Sequence, residues 1–96
     1  MRERTNEEWL RDLRGENQDQ ALSDLRDFLV MGLGYALSDH HRENIDAHIE
    51  DFVQEALLKV LDNLDTFRGE SKLTTWAQKI AVRVAYTELR RKRWED

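Results

Sequence analysis

No proline occurs in the 96 residues of this chain, and glycine occurs only four times. Proline is the residue that most strongly interrupts a helix, so its absence lets helical segments run long and unbroken. The spacing of apolar residues agrees. Leu22, Leu25, Leu29, Leu33 and Ala36 recur at intervals of three and four, which predicts a helix over about 19–37. Ile45, Ile49, Phe52, Val53, Ala56, Val60 and Leu64 predict a second over about 44–65. Leu73, Ala77, Ile80, Ala81, Val84 and Ala85 predict a third, starting near 71–74 and running to about 92. A shorter helix is expected over Asn6–Arg14, with Asn6 as its N-cap and Gly15 as its stop. No strand-like alternation is present, so the expected fold is all-α. Each long helix carries one apolar stripe, and the three must bury these against one another as a compact bundle. Gly32 and Gly34, inside the first long helix, are expected to permit a close helix crossing.

Several function classes fall away on composition. With no cysteine there is no disulfide framework, thiolate zinc site or cysteine nucleophile. The longest apolar run, 28–37, is too short to span a bilayer, and the N-terminus lacks the apolar core of a secretory signal. An intracellular protein with no membrane segment is the expectation. His40, His41 and His48 stand at no spacing that builds a helical metal site, and neither a phosphate loop nor a nucleophile elbow occurs. The chain is therefore expected to be no enzyme and to hold no metal or cofactor.

The net charge of −5 argues at first against a nucleic-acid partner. Its distribution reverses that inference. Residues 1–66 hold 7 basic and 16 acidic side chains, a balance of −9, whereas residues 67–96 hold 8 and 4, a balance of +4. On a helical projection of the last helix, Lys72, Lys79, Arg83 and Arg90 share one line opposite the apolar face, at i, i+7, i+11 and i+18. Trp76 flanks one edge of this line and Tyr86 the other. Cations in a row match a phosphate backbone, and aromatic edges stack on bases. A basic C-terminal turn also complements the helix dipole, which accounts for Arg90 and its neighbours but not for Lys72, Lys79 and Arg83 nearer the other end. In the preceding helix, Asp51, Gln54, Glu55, Leu58 and Asp62 gather opposite the core stripe, with Leu58 central. An apolar anchor in a polar rim has the form of a protein-docking patch, although single exposed leucines are also common.

The stretch from Glu50 to Arg83 carries an ordered set of motifs: Asp51-x-x-Gln54-Glu55-Ala56, then Phe67-Arg68-Gly69-Glu70-Ser71, then Thr74-Thr75-Trp76 and Ile80-Ala81-Val82. It resembles region 2 of bacterial RNA polymerase sigma factors of the extracytoplasmic-function (ECF) group, within the sigma-70 family. The likeness is strongest over about 51–93 and weaker back to about 21. It implies a sigma region 2 domain over 19–93, an N-terminal extension with a short helix over 1–18, and the start of an inter-domain linker at 94–96. Family members carry a further DNA-binding domain, region 4, and the chain reads as a domain excised from such a protein.

The resemblance also implies roles for both faces. Asp51, Gln54, Glu55, Leu58 and Asp62 would dock on the clamp helices of the largest subunit of RNA polymerase core. The loop and helix from Phe67 to Arg90 would recognise the promoter −10 element and help part its strands. There the loop from Phe67 to Thr75, with Arg68 and Ser71, would hold an unstacked non-template base, while Thr74, Thr75 and Trp76 would sit near the opening fork. Lys72, Lys79, Arg83 and Arg90, with Tyr86 at their edge, would follow the strand. Three positions depart from the pattern of many relatives: Leu73 replaces an aromatic, Ala77 a larger apolar residue, and Arg83 an asparagine. Arg83 is therefore expected on a phosphate rather than a base. The competing expectation is a helical protein-interaction module whose basic edge binds an acidic partner, such as an anti-sigma factor. Either would work in the bacterial cytoplasm.

Overall fold

The computed structural model of the chain describes residues 3–38 and 45–95, and within them the side chains of 3–38 and 47–91. Among the described residues four α-helices follow in order: α1 over Asn6–Arg14, α2 over Gln18–Ala36, α3 over Ile45–Asp62 and α4 over Leu73–Glu95. There is no strand among the described residues, so the all-α expectation holds. The three long helices pack pairwise, and α1 lies along α2.

The core is a single cluster. Leu25, Leu29 and Leu33 of α2 meet Phe52, Val53, Ala56 and Val60 of α3 and Leu73, Ala77, Ala81 and Ala85 of α4. These are the stripes that the apolar spacing picks out. The stripe differs at both ends of α2: Leu22 is half-buried beside a buried Ala21, and Ala36 is exposed while Leu37, just past the helix end, is buried instead. The short helix is part of the same core, since Trp9 and Leu13 are buried in it.

Local chemistry sets the helix ends. The cap of α1 is Thr5, one residue before the expected Asn6. Thr5 Oγ1 accepts from the Glu8 backbone N–H at 3.1 Å, and the Glu8 carboxylate accepts from the Thr5 N–H at 2.9 Å. This reciprocal capping box satisfies two otherwise orphaned donors and leaves the Asn6 side chain available for another role. Helix α3 stops at Asp62 rather than 65. There the Asn63 side chain donates to the Lys59 carbonyl at 2.8 Å, and a 3₁₀ turn over Leu64–Thr66 follows. An amide that bonds back to the preceding turn competes with helix continuation. Leu64 stays buried through this turn, which is why apolar spacing alone overruns the helix end.

The two glycines of α2 differ. A Cβ on Gly32 would collide with the side-chain amide of Gln78 on α4, so this glycine does permit a close crossing. Gly34 faces open space and serves no contact, contrary to the expectation.

Charge fastens α1 to α2. The Arg4 guanidinium donates to Asp12 at 2.9 Å and to Asp24 at 2.8 Å, and lies 4.6 Å from the centre of the Trp9 ring. Hydrogen bonds from Arg4 hold the Asp12 carboxyl below the usual carboxylate range, against the opposing effect of burial. Arg4, then Gln20, lowers Asp24 in the same way.

Candidate nucleic-acid and protein interfaces

Loop 67–72 joins the 3₁₀ turn to α4, and Gly69 within it has φ 76°, a left-handed conformation that favours glycine. The loop is folded back by its aromatic residue. Phe67 and Trp76 are both half-buried, with ring centroids 5.1 Å apart and planes tilted by 47°. Trp76 thus packs against the domain along one edge, while Arg68 and Thr75 are exposed and Thr74 is half-buried. Ser71 is half-buried and its hydroxyl donates to the Lys72 carbonyl at 3.1 Å.

The basic line of α4 is intact. Lys72, Lys79, Arg83 and Arg90 are all exposed, and among the described residues none of them forms an ion pair. Arg91, one residue off the line, pairs instead with Glu88 at 3.3 Å. A cation that forms no ion pair within its own fold presents its charge to a partner at no cost of breaking one. Tyr86 is 40% exposed and borders, with Lys79, Val82, Arg83 and Arg90, a shallow depression in this face.

Between α3 and α4 runs an open groove of about 420 Å³, walled by Lys59 and Asn63 on one side and by Trp76, Ile80, Arg83 and Thr87 on the other. Sequence reasoning missed Lys59 and Asn63 here. Lys59 lies on α3, away from the basic line of α4, and no periodicity signals that it faces Arg83 across a groove.

On α3, Asp51, Gln54, Glu55, Leu58 and Asp62 are all exposed, as the projection requires, and Leu58 is 60% exposed. Glu55 also reaches the α3–α4 groove, so the acidic patch and the basic face adjoin at that seam. His48 is half-buried and stacked on Phe52, with centroids 6.2 Å apart, which is a packing role. His40 and His41 lie outside the described residues. Among the described residues no cluster of three potential ligands could hold a metal ion, and no helix is long and apolar enough to cross a membrane.

The chain is a helical bundle with one cationic helix face beside an acidic, leucine-centred face. The family model for sigma-70 region 2 matches residues 29–95, and the chain belongs to that family. This sigma-factor region interacts with RNA polymerase and promoter DNA and takes part in promoter melting. Comparison with curated proteins and with solved structures gave no match.

Proposed function

We propose that this chain is the region 2 domain of an ECF-type sigma factor acting in the bacterial cytoplasm. In this reading α3 docks on the clamp helices of RNA polymerase core, and loop 67–75 with α4 binds the non-template strand of the promoter −10 element. The observation that carries it is the exposed line of Lys72, Lys79, Arg83 and Arg90, without an ion pair among the described residues, on a chain whose net charge is negative.

The division of labour follows from the geometry. The cation line has the form of a track for one strand of phosphates, and such contacts fix register without reading sequence. Sequence preference then falls to the exposed and half-exposed groups at the start of α4, namely Arg68, Ser71, Thr74 and Thr75. Unstacking a base costs a few kcal/mol, so the site must present these groups already ordered. The Phe67–Trp76 contact supplies that order at the base of the loop. On the opposite side, Leu58 is the apolar anchor and Asp51, Gln54, Glu55 and Asp62 its polar rim, suited to a basic partner surface.

The test is a comparison of affinities at fixed salt. A −10 sequence is first selected from a randomised single-stranded pool in the presence of polymerase core. The chain should then bind that oligonucleotide more tightly than a scrambled one of the same composition. Equal affinity for the two would remove sequence readout and favour a protein-interaction module with an acidic partner.

A further inference from the structure

The helix that carries the cation line lacks an N-cap of its own. The Lys72 carbonyl accepts from the Trp76 N–H at 3.1 Å, which makes Lys72 the capping position, and a lysine side chain has no acceptor. The neighbouring Ser71 hydroxyl is turned to the Lys72 carbonyl rather than to the helix. The acceptor comes from the far end of the sequence. Asn6 Oδ1 accepts from the Leu73 N–H at 2.8 Å, 67 residues away, and Asn6 Nδ2 donates to the Ser71 carbonyl at 2.9 Å. One amide therefore grips both sides of the junction between loop and helix.

Asn6 is free to do this because Thr5 and Glu8 cap α1 between themselves. It is held in place because α1 is anchored on both sides. Trp9 and Leu13 are buried in the core, and Arg4 ties the start of the helix to Asp24 of α2. Asn6 also lies outside the segment matched to the family, residues 29–95. We infer that Asn6 is a positioning residue for the nucleic-acid face. It fixes the backbone at Ser71 and Leu73, and so sets where Lys72, Thr74 and Thr75 stand relative to a bound strand. This inference rests on the proposed −10 reading. It gives the N-terminal helix a function in recognition as well as in stability.

Two readouts on the intact chain test it: hydrogen exchange of the Leu73 amide, and the ratio of affinities for the selected and scrambled single strands. Asn6→Ala removes both hydrogen bonds. The Leu73 amide should then exchange about fivefold faster, the scale of a lost cap. The affinity ratio should fall severalfold, with binding to the scrambled strand nearly unchanged. Asn6→Asp keeps the acceptor and loses the donor, so it should retain Leu73 protection and recover part of the ratio. A general loss of folded protein would weaken both strands alike and leave the ratio where it was. Unaltered Leu73 exchange in Asn6→Ala overturns the inference, as does a wild-type ratio in a variant whose Leu73 exchange has risen. A wild-type chain with no strand preference overturns the −10 reading and this inference together.

Discussion

Phe67 packs its ring against that of Trp76 at 5.1 Å, across a loop that is otherwise polar and largely exposed. The contact closes loop 67–72 onto the first turn of α4 and defines the shape of the face beside the α3–α4 groove. Phe67→Ala removes an aromatic pair from a half-buried site and should cost about 2 kcal/mol, less than a fully buried phenylalanine. For a domain of this size that is a fall of roughly 10 °C in Tm. Phe67→Leu, which keeps most of the apolar contact, should restore most of that loss in the same melting experiment.

Leu58 is the centre of the acidic face and contributes little to the core. Leu58→Asp should leave Tm nearly unchanged, since exposed substitutions usually stay within about 0.5 kcal/mol. It should nevertheless abolish capture of the chain by immobilised clamp helices of the polymerase. Capture at the wild-type level would remove this patch from the proposed docking surface.

The two glycines of α2 give opposite tests of the packing. Gly34 stands in the last turn of α2 and faces open space, so Gly34→Ala should stabilise the chain by about 0.5 kcal/mol in denaturant unfolding. Gly32→Ala adds the same helix propensity but drives a methyl group into the Gln78 amide, and should gain less. Pairing it with Gln78→Ala frees the space and should recover the difference. The Gln78 Oε1 atom is already buried without a hydrogen-bond partner among the described residues, so removing it leaves no new polar group exposed.

Acid should loosen the attachment of α1. Asp12 and Asp24 have depressed carboxyl pKa values because of their hydrogen bonds with Arg4. The unfolded chain therefore binds protons first as pH falls. The stability these groups supply is complete above the ordinary carboxylate value of about 4 and is lost below it, as pH passes through the depressed values. Thermal melts at descending pH should show this loss in the wild type. Arg4→Gln, which removes the cause of the depression, should be less stable near neutrality and show a shallower acid dependence.

Fold class and both faces were legible in the sequence because they depend on periodicity. A helix with one apolar stripe fixes which side is left over, and Lys79, Arg83 and Leu58 fall on that side by geometry alone. What sequence reasoning missed depends on contacts between distant segments or on local hydrogen-bond choices. Thr5, not the expected Asn6, caps α1, because the reciprocal bonds with Glu8 decide between two adjacent cap-forming residues. No pattern along the chain links Asn6 to Leu73, or Arg4 to Asp24. The early end of α3 turns on one asparagine side chain that bonds backward, while Leu64 preserves the apolar rhythm past the break.

In the proposed function a line of cations holds the strand while the start of α4 reads it. Affinities for the selected and scrambled single strands, measured across a salt series, separate the two roles. The wild type, Arg90→Ala and a Thr74→Val/Thr75→Val double variant are compared. Arg90→Ala should weaken both strands equally and reduce the slope of log affinity against log salt by about 0.7, the loss of one phosphate contact on a single strand. The double variant should keep the wild-type slope and change the ratio between strands. A ratio unaffected by the threonines, or a salt slope unaffected by Arg90, would contradict the account.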